Sequence, residues 1–392
     1  MGRTLFFPTS LKIVAAAGAA FVLWGLLITL MSSPAQAATY TVNNALDTAE
    51  VNDGACTTDF GGCTLREAIN AANASSGVAD TINFDLNQLD LITLATLSQL
   101  PAITDTAGLT IDGSSVNITI SGAEQHRVFW VDRGAKLTLN RLTVANGLVP
   151  LEGTATAGGG IYSEGTLEVS NSTISDNTAL EDGGGIFYDT RTTGSAKIWN
   201  TTISDNSVDP DGEGSGIFHG SEVTMWNTIV ANNLGSDNCI DTVTDGGNNL
   251  DSGISCGFSA ANNSQSGTLN PSTGEVTPLD PKLGPLDDNG GPTETHALLA
   301  GSTAINKGNN AFALDPNGNP LQFDQRGLGF ARIVGPAVDP AVDIGAFEVQ
   351  GLGEEPPPAG EPEDKQACKK GGYEEFGFKN QGQCIKAVNH AG

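Results

Sequence analysis

The chain has 392 residues and a formal net charge of −27, because 45 acidic residues outnumber 18 basic ones. Nucleic-acid binding requires clustered Lys and Arg to neutralise phosphates, and the basic residues here are few and scattered. This composition excludes nucleic acid as a partner. The 50 Gly residues and the charged fraction of only 16 % indicate frequent turns and few long charged helices.

The N-terminus has the features of an export signal. Arg3 and Lys12 precede an apolar run over residues 13–31, and Ala35 and Ala37 give the A-x-A arrangement that signal peptidases recognise. We predict that residues 1–37 are a signal peptide and that the mature protein is secreted or held at the cell surface. The apolar run is also just long enough to span a bilayer, so an uncleaved membrane anchor is the alternative.

The six cysteines form three pairs that are close in sequence. An even number in an exported chain favours local disulfides, and no pair has the C-x-x-C spacing of a metal site. The predicted disulfides join Cys56 to Cys63, Cys239 to Cys256, and Cys368 to Cys384.

A short amphipathic helix is predicted over residues 64–74. Thr64 and Glu67 occupy the positions of a capping box, and apolar residues after them fall on one helical face. Residues 38–108 are therefore assigned to an N-terminal cap region, in which the helix covers the open end of a repeated sheet.

The segment that follows contains internal repeats. The sequences SNSTISDN, WNTTISDN and WNTIVANN begin at Ser170, Trp199 and Trp226. Each repeat contains short β-branched runs separated by Gly or Asn. Repeats of roughly 25–31 residues with two or three short strands favour a parallel β-helix over a leucine-rich repeat or a propeller. We predict an all-β fold in which residues 109–350 form a β-helix and its closing segment.

Stacking of successive coils explains why the repeats are almost identical. Equivalent residues lie above one another at the normal strand spacing of about 4.8 Å, and stacked Asn amides can hydrogen-bond along the column. Two Asn registers are expected, one of Asn171, Asn200 and Asn227 and the other of Asn177, Asn206 and Asn233. Neither register requires a ligand.

The C-terminus is predicted to be separate from the β-helix. Residues 351–367 are rich in Pro, Gly and Glu, which is typical of an extended linker. The basic segment 368–392 is bracketed by Cys and is predicted to be a small disulfide module.

No catalytic residue can be assigned from the sequence. A lyase would need clustered Asp and a basic residue on one face, and nothing places Asp176, Asp205 and Lys197 around one pocket. His219 is expected in a surface turn. Arg326 is expected to form a structural fork with Asp343 or Glu348.

Two loops place oxygen-bearing side chains at alternate positions, as Ca²⁺ loops begin. Neither loop has the closing Glu, so no cofactor is assigned and Ca²⁺ remains the alternative. The candidate ligands are Asp209, Asp211, Glu213, Asp315, Asn317 and Asn319.

Several motifs resemble those of known exported proteins. CTLREAIN at 63–70 resembles the C-S-L-R-E-A-I motif of bacterial and archaeal exported proteins, with Thr64 where that motif has Ser. The alternation of GGGI and ISDN resembles the right-handed parallel β-helix repeats of polymorphic outer-membrane proteins, with Ile or Val in place of their Phe. DQRG and VDIGAFE are similar to a C-terminal segment of choice-of-anchor type surface proteins. The segment 368–384 resembles a short Cys-bracketed C-terminal motif of exported bacterial proteins. These resemblances imply export and a right-handed β-helix.

Together these features favour an exported, adhesin-like, non-catalytic protein that presents a long face to a polysaccharide or cell-envelope partner. The alternative is a polysaccharide lyase or glycoside hydrolase on the same scaffold. A cleft with two carboxylates and a base would favour the enzyme, and a flat face of stacked polar residues would favour binding.

Overall fold

The computed structural model describes residues 36–47, 56, 62–75, 77–86, 91–94, 99–116, 118–149, 155–189, 194–291, 293–334 and 340–350. The predicted linker, the C-terminal module with Cys368 and Cys384, and nearly all of the predicted signal peptide lie outside these residues. Within the described ranges, no helix is long and apolar enough to cross a membrane.

The described chain is mostly a parallel β-solenoid of about 5 turns, which confirms the predicted fold class. Three sheets run along it. Sheet I stacks Thr39–Val42, Asp80–Phe84, Leu109–Asp112, Lys136–Asn140, Thr166–Ser170, Ala196–Trp199, Val223–Trp226 and Thr244–Gly247. Sheet II stacks Leu91–Thr93, Ile118–Ser121, Leu142–Ala145, Thr173–Ser175, Thr202–Ser204, Ile229–Ala231, Leu250–Asp251 and Gln265–Ser266. Sheet III stacks Phe129–Val131, Ile161–Ser163, Ile186–Tyr188 and Ile217–His219.

Smaller elements complete the solenoid and its surroundings. Thr178–Ala179 pairs in parallel with Ser207–Val208. Two antiparallel hairpins follow, Thr268–Leu269 with Val276–Thr277 and Leu283–Asp288 with Glu294–Leu298. In the described part of the chain, three short 3₁₀ helices span Gly113–Ser115, Ala260–Asn262 and Asn310–Phe312.

Strand alternation builds the core of the solenoid. In the strand 166–170, Leu167 and Val169 point inward and are fully buried. Leu167 lies beside Ala196 and Val169 beside Ile198 in the next coil, as the repeats predict. Burying each large aliphatic side chain contributes roughly 1.5–3 kcal/mol, so the repeated apolar positions hold the coils together.

The helix α1, Leu65–Ala74, covers the N-terminal end of this core. Thr64 Oγ1 accepts from Glu67 N, and Glu67 Oε2 accepts from Thr64 N at 2.8 Å, which completes the predicted capping box. The buried side chains of Leu65 and Ile69 pack in the same apolar cluster as the first strands of sheet I. A disulfide between Cys56 and Cys63 immediately precedes the helix.

Irregular coils close the other end of the solenoid. A second disulfide joins Cys239 to Cys256. Asp251 is fully buried and accepts hydrogen bonds from Cys256 N at 3.0 Å and from Asn238 Nδ2 at 2.7 Å. These bonds satisfy the buried carboxylate of Asp251 in the irregular last coils.

Residues 303–334 and 340–350, here called the strap, run along the outside of the solenoid. Gln325 bridges two coils of sheet II, because its side chain contacts Thr173 Oγ1 at 2.6 Å and Thr143 Oγ1 at 2.7 Å. Further along, Ile344 and Phe347 pack against Ile229 in a second apolar cluster. The strap therefore covers much of the outer face of sheet II.

Candidate functional site

One of the two Asn registers is an internal ladder. The Nδ2 group of Asn177 donates to Asn206 Oδ1 at 2.9 Å, that of Asn206 donates to Asn233 Oδ1 at 3.0 Å, and that of Asn233 donates to Asn238 Oδ1 at 2.9 Å. Asn177 and Asn206 are fully buried. The ladder holds the coils together, and the buried amides of Asn177 and Asn206 are not accessible to a ligand.

The other Asn register faces outward and holds the strap. Its side chains donate to strap carbonyls, Asn171 to Phe323 O at 3.4 Å, Asn200 to Phe312 O at 2.8 Å and Asn227 to Asn309 O at 3.0 Å. Asn248 continues the series with a bond to Lys307 O at 2.8 Å. Because the strap residue number falls as the coil number rises, the strap runs back towards the N-terminal end of the solenoid.

The outward register combines an amide bond between coils with left-handed turns of the backbone. Between coils, Asn227 Nδ2 donates to Asn200 Oδ1 at 3.0 Å. Asn171, Asn200 and Asn227 all have left-handed backbone, with φ of 46°, 51° and 46°. Asn tolerates this conformation, so the same residue type both turns the chain from sheet I to sheet II and holds the strap.

Arg141 occupies this register one coil before Asn171, also with left-handed backbone at φ 53°. It lines an open groove of about 360 Å³ between the outer face of sheet I and the strap. We call this the sheet I groove. Its lining residues are Thr81, Thr110, Asp112, Ser114, Asn140, Arg141, Asp315, Pro316, Asn317, Pro320, Leu321, Gln322 and Phe323.

The floor of the sheet I groove is a linked set of polar side chains. Asn140 Nδ2 donates to Asp112 Oδ1 at 2.9 Å and to Ser114 Oγ at 3.2 Å, while Ser170 Oγ donates to Asn140 Oδ1 at 2.9 Å. Burial lowers the pKa of Arg141, and the carboxylates of Asp112 and Asp324 oppose that shift. The floor thus presents fixed hydroxyl, amide, carboxylate and guanidinium groups.

One wall of the groove contains the second predicted Ca²⁺ loop. Asp315 Oδ1 accepts from the backbone N of Asn317 at 2.9 Å and of Asn319 at 2.8 Å, and its Oδ2 accepts from Asn319 Nδ2 at 3.0 Å. These bonds use the carboxylate to shape the turn itself.

The first predicted Ca²⁺ loop is an exposed turn. Asp209, Asp211 and Glu213 are all exposed, and Glu213 N donates to Asp182 Oδ1 at 3.0 Å. Among the described residues, no three His, Cys, Asp or Glu side chains are grouped so that they could hold a metal ion.

A second groove, of about 390 Å³, contains the repeated acidic turn positions. Asp176 and Asp205 lie in it on adjacent coils, with Glu124 and Asn146 on the coils before them. We call it the carboxylate groove. Burial raises the pKa of Asp205, His296 and a hydrogen bond from Ser204 lower it, and Asp176 raises it again.

His296 adjoins this groove but does not form a catalytic triad. Its Nε2 lies 2.9 Å from Ser175 Oγ and 3.6 Å from Asp205 Oδ2, and its Nδ1 lies 2.9 Å from Gly284 O. In a triad the acid and the nucleophile contact different ring nitrogens, whereas here both lie at Nε2. Ser175 is also fully buried, so substrate cannot reach it.

The outer face of sheet III carries a column of aromatic residues that the sequence reasoning missed. Tyr162 stacks on Phe187 with ring centroids 4.8 Å apart, and Phe187 stacks on Phe218 at 4.9 Å. Trp130 packs on Tyr162 at 4.4 Å. The ring faces of Tyr162 and Phe187 are covered on both sides by their neighbours in the column, so these two rings are not free to stack on a ligand. The sequence does contain a signal for this column, because an aromatic residue follows each inward Ile of the Gly-rich repeats.

Two sequence expectations need correction. Arg326 forms its fork with Asp324, to which its Nη2 donates at 2.6 Å, because the DQRG turn places both side chains together. Glu348 faces Arg332 instead, with Glu348 Oε2 3.9 Å from Arg332 Nη1. His219 is the last residue of a strand in sheet III and is buried, with Nδ1 3.2 Å from Ser221 O, so it is not a surface turn residue.

Comparison with protein-family models, with curated proteins and with solved structures found no match for this chain.

Proposed function

We propose that this protein is an exported, non-catalytic surface protein that binds an extended polysaccharide or glycan-rich cell-envelope polymer along the outer face of sheet I. The observation that carries the proposal is the sheet I groove. It is open, about 360 Å³ in volume, and lined mainly by hydroxyl, amide and charged side chains. Hydroxyl-rich ligands are recognised by such fixed donors and acceptors.

The other two faces are less suited to this role. The strap covers much of sheet II, and the aromatic rings on sheet III cover one another. Sheet I instead bears a continuous outward column in register. Its members are Thr81, Thr110, Thr138, Glu168, Lys197, Thr224 and Thr244. A polymer that lies along the solenoid axis would pass one of these positions about every 4.8 Å, although Thr138 itself is buried.

Retention on a panel of insoluble polysaccharides and cell-envelope fractions tests the proposal. The mature protein is expected to be retained by at least one of them and to release no product. Thr110→Arg should block the groove floor and abolish retention. Thr224→Arg is the matched control, because Thr224 lies in the same column and outside the groove, so that variant should still be retained. Failure of every fraction to retain the wild-type protein would refute the proposal.

A second candidate function is glycoside hydrolysis in the carboxylate groove. The supporting observation is the unequal environment of two carboxylates on adjacent coils. Asp176 is exposed, whereas Asp205 is half-buried with a raised pKa. Glycoside hydrolases use one protonated carboxyl as acid and one carboxylate as base or nucleophile, so Asp205 would be the acid and Asp176 its partner.

Release of reducing ends from the same panel distinguishes this candidate. Hydrolysis that is abolished by Asp205→Ala and by Asp176→Ala would establish it. Asn232→Ala, at the next turn position of the same column, is the control and should leave any activity unchanged. No release of sugar by the wild-type protein would eliminate the hydrolase.

A further inference from the structure

We infer that the sheet I groove selects uncharged glycan chains over anionic ones, with Arg141 as the donor that recognises their hydroxyl and ether oxygens. This inference rests on the proposed function and specifies its ligand class.

The position of Arg141 in the outward register supports its role. Asn171, Asn200 and Asn227 use their amides to bind strap carbonyls. At Arg141 the register changes from an amide to a longer guanidinium, and at the same coil an open groove lies between sheet I and the strap. At this coil the register therefore places a guanidinium in the lining of the groove.

Burial restricts the Arg141 side chain before any ligand arrives. Arg141 is only 9 % exposed and has left-handed backbone. Its neighbour Asn140 is fixed by bonds to Asp112 and Ser170. A donor that is already ordered loses little conformational entropy when it binds an oxygen acceptor.

The charges around the groove determine which classes of ligand can bind there. Among the described residues that line the groove, Arg141 is the only Lys or Arg, and the lining also includes the carboxylates of Asp112 and Asp315. Asp324 also acts on Arg141 electrostatically. A uronate, sulfate or phosphate would meet more negative than positive charge here, whereas a neutral sugar would find both donors and acceptors.

The charge of the whole chain acts in the same direction. A net charge of −27 repels a polyanion at long range, and such repulsion is screened by salt. An uncharged glycan experiences neither effect. The two ligand classes are thus separable by experiment without any substitution.

The test uses soluble polymers that share a backbone and differ in charge. The pairs are hydroxyethyl cellulose with carboxymethyl cellulose, and fully methyl-esterified polygalacturonate with polygalacturonate, together with neutral xylan and mannan. The wild-type protein should bind a neutral polymer at least about tenfold more tightly than its anionic partner. That binding should change little between about 0.05 and 0.5 M salt.

Arg141→Asn tests the named residue, because it restores the residue type of the register and suits the left-handed backbone. It should weaken neutral-glycan binding about tenfold, the loss expected for a hydrogen bond from a charged donor, with the thermal unfolding midpoint nearly unchanged. Asp112→Asn removes a carboxylate and keeps its acceptor oxygen, so it should strengthen binding of the anionic partner. Thr224→Arg is the control for added charge outside the groove.

The outcomes separate the two levels of the proposal. Equal or tighter binding of the anionic polymers would overturn the inference and leave the binding function standing. Unchanged neutral binding by Arg141→Asn would remove Arg141 from recognition. If Arg141→Asn fails to fold, the salt dependence of the wild-type protein and the Asp112→Asn variant still decide the charge selectivity. Binding of no polymer at all would refute the proposed function itself.

Discussion

The internal Asn ladder of the solenoid and the strap bury polar groups in different ways. Inside the solenoid, the buried polar column is neutral, and each Asn amide bonds to the next coil. Within the strap, the buried groups are ionisable, with Arg332 and Asp324 fully buried and Glu348 1 % exposed. A repeat can satisfy its own polar groups by stacking copies, whereas a single segment must find unlike partners.

This difference has an energetic consequence. Stacked amides exchange one set of neutral hydrogen bonds for another, which leaves a modest net gain per bond. Buried ions lose their hydration, and their mutual attraction often fails to compensate for that loss. The strap should therefore be the less stable of the two regions and the more sensitive to pH.

The largest effect is expected from breaking the internal ladder. Asn206→Ala removes the acceptor for Asn177 and the donor to both Ile174 O and Asn233. Several fully buried groups would lose partners at once, so the free energy of unfolding should fall by roughly 4 kcal/mol. Chemical denaturation measures this loss. A smaller loss of unfolding free energy in Asn206→Ala than in Asn200→Ala would contradict the proposed difference between the two registers.

The next effect concerns pH and the strap. Burial raises the pKa of Glu348 to about 8 from its ordinary value of 4.5, against the opposing attraction of Arg332. The folded protein therefore holds a proton that the unfolded chain releases above pH 4.5. The resulting stability is fully present below pH 4.5 and is lost progressively as the pH rises to about 8.

Comparison with Glu348→Gln isolates this contribution. The variant should show a shallower decrease in stability between pH 5 and about 8 than the wild-type protein, while Glu275→Gln on the exposed hairpin should match the wild type. Parallel pH profiles for Glu348→Gln and the wild type would show that Glu348 does not retain its proton in the folded state.

A smaller effect is expected from the outward register. Asn200→Ala removes the bond to Phe312 O and the acceptor for Asn227 Nδ2 and Arg332 Nη2. The loss should be about 2 kcal/mol, because the strap can partly adjust and water can reach its carbonyls. Thermal unfolding measures it. An unchanged unfolding midpoint would show that Asn200 does not hold the strap.

The repeat sequence predicted the solenoid well because stacking requires similar residues at equivalent positions. The registers of Leu167, Val169 and Ile174 with the next coils could be derived from the 29-residue and 27-residue separations of Asn177, Asn206 and Asn233. The capping box at Thr64 likewise identified the start of α1 from local chemistry.

The sequence could not predict where the period breaks. Asn238 follows Asn233 by only 5 residues and still continues the ladder. Asn248 follows Asn227 after a contracted coil, so its place in the outward register was missed.

The strap and the sheet I groove lay beyond local reasoning altogether. Their contacts join residues far apart in the chain, such as Asn200 with Phe312 across 112 residues and Thr143 with Gln325 across 182. No short-range pattern encodes such a pairing. The partner of Arg326 was misjudged for the opposite reason, because the distant Asp343 and Glu348 were preferred to Asp324, which lies only two residues away in the same turn.

Peptide-resolved hydrogen exchange on Asn206→Ala and Asn200→Ala tests most directly whether the solenoid and the strap are distinct stability units. Asn206→Ala should accelerate exchange throughout the coils from 158 to 251, where the ladder lies. Asn200→Ala should accelerate exchange mainly in the strap, at residues 303–334 and 340–350, and leave the coils protected. The same exchange pattern in both variants would contradict the distinction between the internal ladder and the register that holds the strap.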